Sequence, residues 1–122
     1  MSEAMGAVLE SEAMAAVTEE HARELWVSLA SLLRSYTAAH GLNRREQATV
    51  ELSETRILVR CGERWLRLER NLESDVDAVQ GRTHAGERML LRWSDEGELK
   101  TETGSKVPMD LQAEEWSREL VG

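Results

Sequence analysis

Apolar and polar positions along this chain change their period several times, and each change marks an element. Between Thr18 and Gly41 the residues Ala22, Leu25, Trp26, Leu29, Leu32, Leu33 and Tyr36 recur three or four apart, which predicts an amphipathic core helix. Thr18 is placed to cap it, Glu19 and Glu20 favour its N-terminal turn, and Gly41 after His40 supplies the stop.

Beyond this helix the period drops to two, and two hairpins can be tested for agreement. With Ser53-Glu54 as a two-residue turn, Val50 pairs with Ile57 on one face while Glu51 pairs with Arg56 on the other. With Gly62-Glu63 as the next turn, Val59 pairs with Leu66 and Ile57 with Leu68, so both hairpins turn the same residues inward. Outward, Arg56 then lies between Glu51 and Glu69, and Arg60 stands across from Trp65, where a cation–π contact is expected. Consistency between local choices of this kind predicts a three-stranded meander over roughly residues 47–70.

Leu72, Val76 and Val79 then return to helical spacing, with Ser74 and Asp77 in capping-box-like positions and Gly81 as a stop, which predicts a short second helix. A loop through His84 and Gly86 leads to a fourth strand, Glu87 to Ser94, in which Met89, Leu91 and Trp93 alternate with Arg88, Leu90 and Arg92. The turn Asp95-Glu96-Gly97 opens a polar fifth strand through Thr103, and a last helix from Asp110 as N-cap puts Ala113, Trp116 and Leu120 on one side. The expected fold is α+β: an N-terminal helix packed on a mostly antiparallel five-stranded sheet, order α-βββ-α-ββ-α, in two layers.

Ahead of this domain, assigned to residues 18–122, residues 1–17 form an Ala/Glu-rich arm. Across it and into residue 19, SEAMGAVLE (Ser2–Glu10) is followed by SEAMAAVTE (Ser11–Glu19), seven of nine positions being identical. A nine-residue step turns a helix by about half a revolution beyond whole turns, so equivalent residues face opposite sides and the repeat builds no single seam. The net charge of −8 comes from the two ends: residues 1–20 carry five acids and no base, residues 110–122 carry four acids against Arg118, and the body between them balances fourteen acids with fourteen bases. Such a field disfavours nonspecific binding to nucleic acid or anionic lipid. At 122 residues the chain suits one domain with one core. It shows neither a signal-peptide pattern nor an apolar run of about 20 residues, and reads as cytoplasmic.

Catalytic chemistry finds little to use. Cys61 shares the inward parity of Ile57 and Val59, which makes it a core residue, and a lone cysteine forms no internal disulfide. His21, His40 and His84 lack zinc-ligand spacing, and His84, in the loop RTHAGE, is the one candidate acid or base. Glu114 and Glu115 are adjacent on a helix and point apart. With no phosphate-cradling glycine loop, serine elbow or metal motif, neither cofactor nor metal is expected and the chain reads as non-catalytic.

The constellation that remains is the outward sheet face: Arg56, Leu58 and Arg60 on the second strand, Trp65 and Arg67 on the third, Arg88, Leu90 and Arg92 on the fourth. Leucines and a tryptophan among arginines match the composition of protein interfaces, so Arg56, Leu58, Arg60, Trp65, Arg67, Leu90 and Arg92 are the candidate partner-binding residues. A solvated face laced with cross-strand ion pairs, and an RNA-stacking sheet with a single aromatic, are the competing readings. The deduced element order, with the acidic balance and small size, resembles the bacterial secretion-chaperone-like fold over about residues 18–120. That resemblance implies an acidic dimer that holds an extended segment of a client protein, and it carries over no functional residue, because no position matches a family motif. A cystatin-like sheet wrapped around Ala22–Tyr36, with a ligand pocket between helix and sheet, accounts for the same pattern. The expectation is a protein-interaction or chaperone-like binding module whose partner is a second copy or another protein, with small-ligand binding or catalysis in a helix–sheet pocket as the alternative.

Overall fold

The computed structural model describes residues 19–70, 75–94 and 96–122. The arm with its repeat, and the Thr18 cap, lie outside the described residues. Helix α1 (Glu19–His40) is followed by seven strands, β1 (Thr49–Leu52), β2 (Arg56–Cys61), β3 (Arg64–Arg70), β4 (Asp75–Arg82), β5 (Ala85–Trp93), β6 (Glu98–Thr101) and β7 (Lys106–Pro108), and then by helix α2 (Met109–Val121). The strands form one curled antiparallel sheet, a half-barrel in which each strand pairs only with its neighbours in the chain. Both helices pack on the inner face.

The architecture is α+β, but the described residues form two helices and seven strands rather than three helices and five strands. The short second helix is absent: Asp75–Arg82 is a central strand, paired through Leu68↔Ala78 with β3 and through Ala78↔Met89 with β5. The α-βββ-α-ββ-α order that carried the family resemblance therefore gives way to one helix, a seven-stranded meander and one helix. Buried between two strands, the segment Asp75-Val-Asp-Ala turns Val76 and Ala78 inward and both aspartates outward, and sheet pairing overrides a helical spacing that rested on three residues. The loop through His84 shrinks to the two-residue turn Thr83-His84, with Thr83 at a φ of 52°. The polar fifth strand ends at Thr101; the chain turns at Gly104 (φ 92°) and returns as β7.

The first hairpin differs from expectation in its register but not in its faces. Ser53 N donates to Arg56 O at 2.8 Å and Ser53 Oγ accepts from Arg56 N at 3.0 Å, so the tip is Glu54-Thr55. Moving the tip by one residue shifts each partner by two: Val50 opposes Val59 and Leu52 opposes Ile57. A shift of two preserves the side on which each residue emerges. Glu51 consequently opposes Leu58 and not Arg56. The second hairpin has the expected pairs Val59↔Leu66, Ile57↔Leu68 and Arg60↔Trp65, around a turn in which Gly62 takes a φ of 62°.

The core collects Trp26, Leu29 and Leu33 of α1, Ile57, Val59, Leu66 and Leu68 of β2 and β3, Leu91 and Trp93 of β5, and Ala113, Trp116 and Leu120 of α2, with Val50 and Met89 packed against it. Trp26 places its indole N–H 2.9 Å from Ser53 O, which ties α1 to the first hairpin tip. At the far end of α1, Gln47 donates to Gly41 O and Arg44 O, each at 3.0 Å, and so shapes the connection into β1. Helix α2 begins one residue before Asp110, behind Pro108 and with no side-chain cap; Asp110 Oδ1 instead accepts from the next amide, Leu111 N, at 3.0 Å. No described helix is long and apolar enough to cross a membrane.

Candidate functional site

All seven candidate residues emerge on the outer face of the sheet, away from both helices, because they share one parity across β2, β3 and β5. The structure divides them into two groups. Arg56, Leu58, Arg60, Trp65 and Arg67 line a shallow depression of about 300 Å³ at the β2–β3 end, together with Gly62 and Arg64, and among the described residues no carboxylate contributes to its walls. Leu90 and Arg92 lie apart from it, in a second depression of about 460 Å³ toward β6 that also holds Asp75, Asp77, Lys100 and Glu102.

The strand β4, read from the sequence as a helix, changes the electrostatics of this face. It delivers Asp75 and Asp77 to the outside, where Arg92 Nε meets Asp75 Oδ1 at 2.8 Å and Arg88 Nη2 meets Asp77 Oδ2 at 3.0 Å. The Asp75 hydrogen bond and charge raise the Arg92 pKa further above its ordinary value, so that guanidinium is charged at every accessible pH. Glu69 lies 3.8 Å from Arg56 Nη2 and 3.0 Å from Arg67 Nε, the second contact lacking the alignment of a hydrogen bond. Alternation of Asp75 and Asp77 against Arg88 and Arg92 was the signal for these partners, visible only once the segment is read with a period of two. Arg60, by contrast, has no ion pair among the described residues.

Trp65 is held by structure on its own strand's flank. Its indole N–H donates to Thr83 O at 3.0 Å, and its ring lies over the glycine pair Gly81↔Gly86 of β4 and β5. A Cβ at Gly81 would come within 2.7 Å of the ring and 2.1 Å of Ala85 O, so only glycine lets the indole lie flat there. The arginine over the ring is Arg67, its Cζ 5.9 Å from the centroid, rather than the expected Arg60. A single indole thus fills the gap left by two glycines in neighbouring strands and offers its remaining surface to the depression.

On the opposite face a larger groove, of about 820 Å³, opens between α2 and the ends of β3, β4 and β5. The expected helix–sheet pocket was against the first helix and apolar; this one lies against the last helix and mixes Met89, Trp116 and Leu120 with Arg64, Arg82, Glu87 and Glu115. Arg64 Nη1 donates to Glu119 O at 2.9 Å, Gln80 donates to the Glu119 carboxylate, and Arg82 Nε is 3.4 Å from Glu63 Oε2. Cys61 faces inward and is buried, as its parity requires; burial foremost, then the Glu46 carboxylate, raise its thiol pKa against the opposing effect of Arg64 and Arg44. His84 stands exposed at the tip of the β4–β5 hairpin and does not line this groove. Among the described residues no three His, Cys, Asp or Glu side chains come together as a metal site. Compared with known protein families, with curated proteins and with solved structures, the chain matches none.

Proposed function

We propose that this protein is a non-catalytic interaction module whose outer sheet face takes an acidic, partly apolar segment of another protein. The observation that carries the reading is the β2–β3 depression, where Arg56, Arg60, Arg64 and Arg67 surround Leu58 and Trp65 with no carboxylate of the described residues in the lining and only Glu69 beside Arg56 and Arg67, on a chain whose net charge is −8. A basic patch on an acidic protein selects partners by charge, and an aromatic fixed by its neighbours loses little side-chain entropy when it is covered. The Leu90–Arg92 depression is already neutralised by Asp75 and Asp77 and contributes shape rather than charge. The exposed acids Glu115 and Glu119 of α2 give a second copy the same chemistry, which makes a homodimer the other arrangement of this reading.

Selection of a random peptide display library on the wild-type chain, with counter-selection on Arg60→Glu, tests it. Arg60 is exposed and outside every described ion pair, so reversing it leaves the fold in place while reversing the charge at the depression. Enrichment of sequences with Asp or Glu flanking a large apolar residue is expected. Indistinguishable pools from the two chains would refute the reading, and sedimentation of both chains alone reports whether a second copy is the partner.

A further inference from the structure

Helix α1 starts at the end of the molecule where the arginine depression begins. Trp26 donates to Ser53 O at 2.9 Å, and Ser53 N donates to Arg56 O across the first hairpin tip, so the helix is anchored on the tip that presents Arg56 to the depression. The other end of α1, at Gly41, leads into the start of β1. The seven residues from Trp26 back to Glu19 therefore run past the tip, by about 10 Å at 1.5 Å per residue.

The arm precedes Glu19 directly. Between Ser2 and Val17 it carries Glu3, Glu10 and Glu12 with no Lys or Arg, interleaved with Met5, Val8, Leu9, Met14 and Val17. This is the acidic, partly apolar chemistry that the depression selects. Laid out with a strand period of two, Val8, Glu10, Glu12 and Met14 share one side, which sets two carboxylates about 6.8 Å apart between two apolar side chains. The outer face has a matching interval: Arg60 stands beside Trp65 in one row, and Arg67 beside Leu58 in the next row, about 6.8 Å along the strands. Arg56 follows in the third row, already accompanied by Glu69. The acids of α2 suit the depression less well, because Arg118 stands among them and Glu119 is engaged by Gln80.

Length permits the contact within one chain. Glu12 lies seven residues before Glu19 and Val8 eleven, spans of up to about 24 and 37 Å at roughly 3.4 Å per residue. From Arg56 to Arg60 the depression extends over four residues of strand, about 14 Å. An arm that turns round the first hairpin tip enters the depression from its Arg56 end and has the length to follow it to Trp65.

We infer that the arm is the resident occupant of the depression: residues 8–14 lie on the outer sheet face of their own chain, with Glu10 and Glu12 among the arginines, and another protein segment must displace them to bind. The inference rests on the reading of this face as a site for acidic, partly apolar segments, and gives that site its regulation. A segment tethered so closely acts at an effective concentration of the order of millimolar, so contacts too weak to hold a free peptide keep it in place.

The test compares the full wild-type chain with a full chain carrying Glu3→Gln, Glu10→Gln and Glu12→Gln, by following the Trp65 indole N–H and the Leu58 and Arg60 amides in NMR spectra. These resonances are expected to move in the triple variant, and a synthetic peptide of residues 2–17 should return them toward their wild-type positions. That peptide should bind the variant about tenfold or more tightly than the wild type, whose own arm competes, and Arg60→Glu should weaken it in both backgrounds. Raising salt on the unsubstituted chain screens the exposed charges and should produce the same displacement, a readout independent of the variant's folding. Outer-face resonances identical in the two chains and indifferent to salt overturn the inference. So does equal peptide affinity for both chains, which leaves the interaction reading standing, and so does a displacement that depends on protein concentration, which assigns the arm to a second copy. A peptide that binds neither chain also overturns it, and the display selection then decides the interaction reading separately.

Discussion

The two faces of the sheet solve different problems. On the inner face, Trp26, Leu29 and Leu33 and the α2 side chains Ala113, Trp116 and Leu120 cover the β-strand residues so completely that most core side chains are inaccessible to solvent. There, stability comes from apolar area removed from water, at roughly 25 cal/mol per Å², and from close packing. Among the described residues the outer face has no cover. Its side chains are arranged in ion pairs between neighbouring strands, around one indole laid over two glycines. Inner positions are fixed by volume and outer ones by pairing, so substitutions on the two faces should differ in size and in their response to salt.

Leu29→Ala tests the inner face most severely. Leu29 is fully buried, and a large-to-small change there should cost about 2–5 kcal/mol in urea unfolding. A melting temperature that did not move would break the contrast at its stronger end. Trp65→Ala should cost about 1–2 kcal/mol, the sum of a cross-strand aromatic contact and one hydrogen bond to Thr83 O. A loss as large as that of Leu29→Ala would mean that the outer face has a packed core of its own. Asp75→Asn, which removes a charge from a pair whose Arg92 partner is 65% exposed, should cost less than about 1 kcal/mol and lose its effect in concentrated salt. A salt-insensitive cost would place that pair among the buried interactions.

Cys61 gives the smallest effect and a defined sign. Its thiol pKa is raised in the folded chain, chiefly by burial, so folding favours the protonated form. The contribution is fully present below the unfolded thiol pKa of about 8.5 and is lost as pH rises through the higher folded value. Stability should therefore decline in mildly alkaline solution, and Cys61→Ala should remove that part of the decline in a comparison of unfolding midpoints between neutral and alkaline pH.

The elements legible in the sequence were those whose pattern was redundant. Helix α1 offers seven apolar positions at one spacing, and the β2–β3 hairpin offers alternation on both sides of a turn glycine at positive φ. Strand β4 offered less: Val76 and Ala78 are its only buried apolar residues, alanine is a weak marker of either period, and Gly81 resembles a helix stop. Its glycine marks the place where Trp65 crosses, a long-range contact that no local pattern announces. The candidate outer face was readable because parity within each recognised strand holds whatever the register. Its division into two depressions was not, because the neutralising aspartates belong to the misread strand.

Because every strand pairs with the next one in the chain, the sheet places few demands on the order in which the protein folds. The β2–β3 hairpin can close by itself over a two-residue turn, and each further strand can add at its edge for the entropy of a short loop. The costly closure is the meeting of α1 and α2, which come from opposite ends of the described chain and contact each other on the inner face. Folding speed should follow the local pairings, as topology-dependent rates do, and slow unfolding should depend on the helix pair. Substitutions at Trp116 or Leu120 would then accelerate unfolding far more than they retard folding, whereas changes around Gly62 would act mainly on the folding rate.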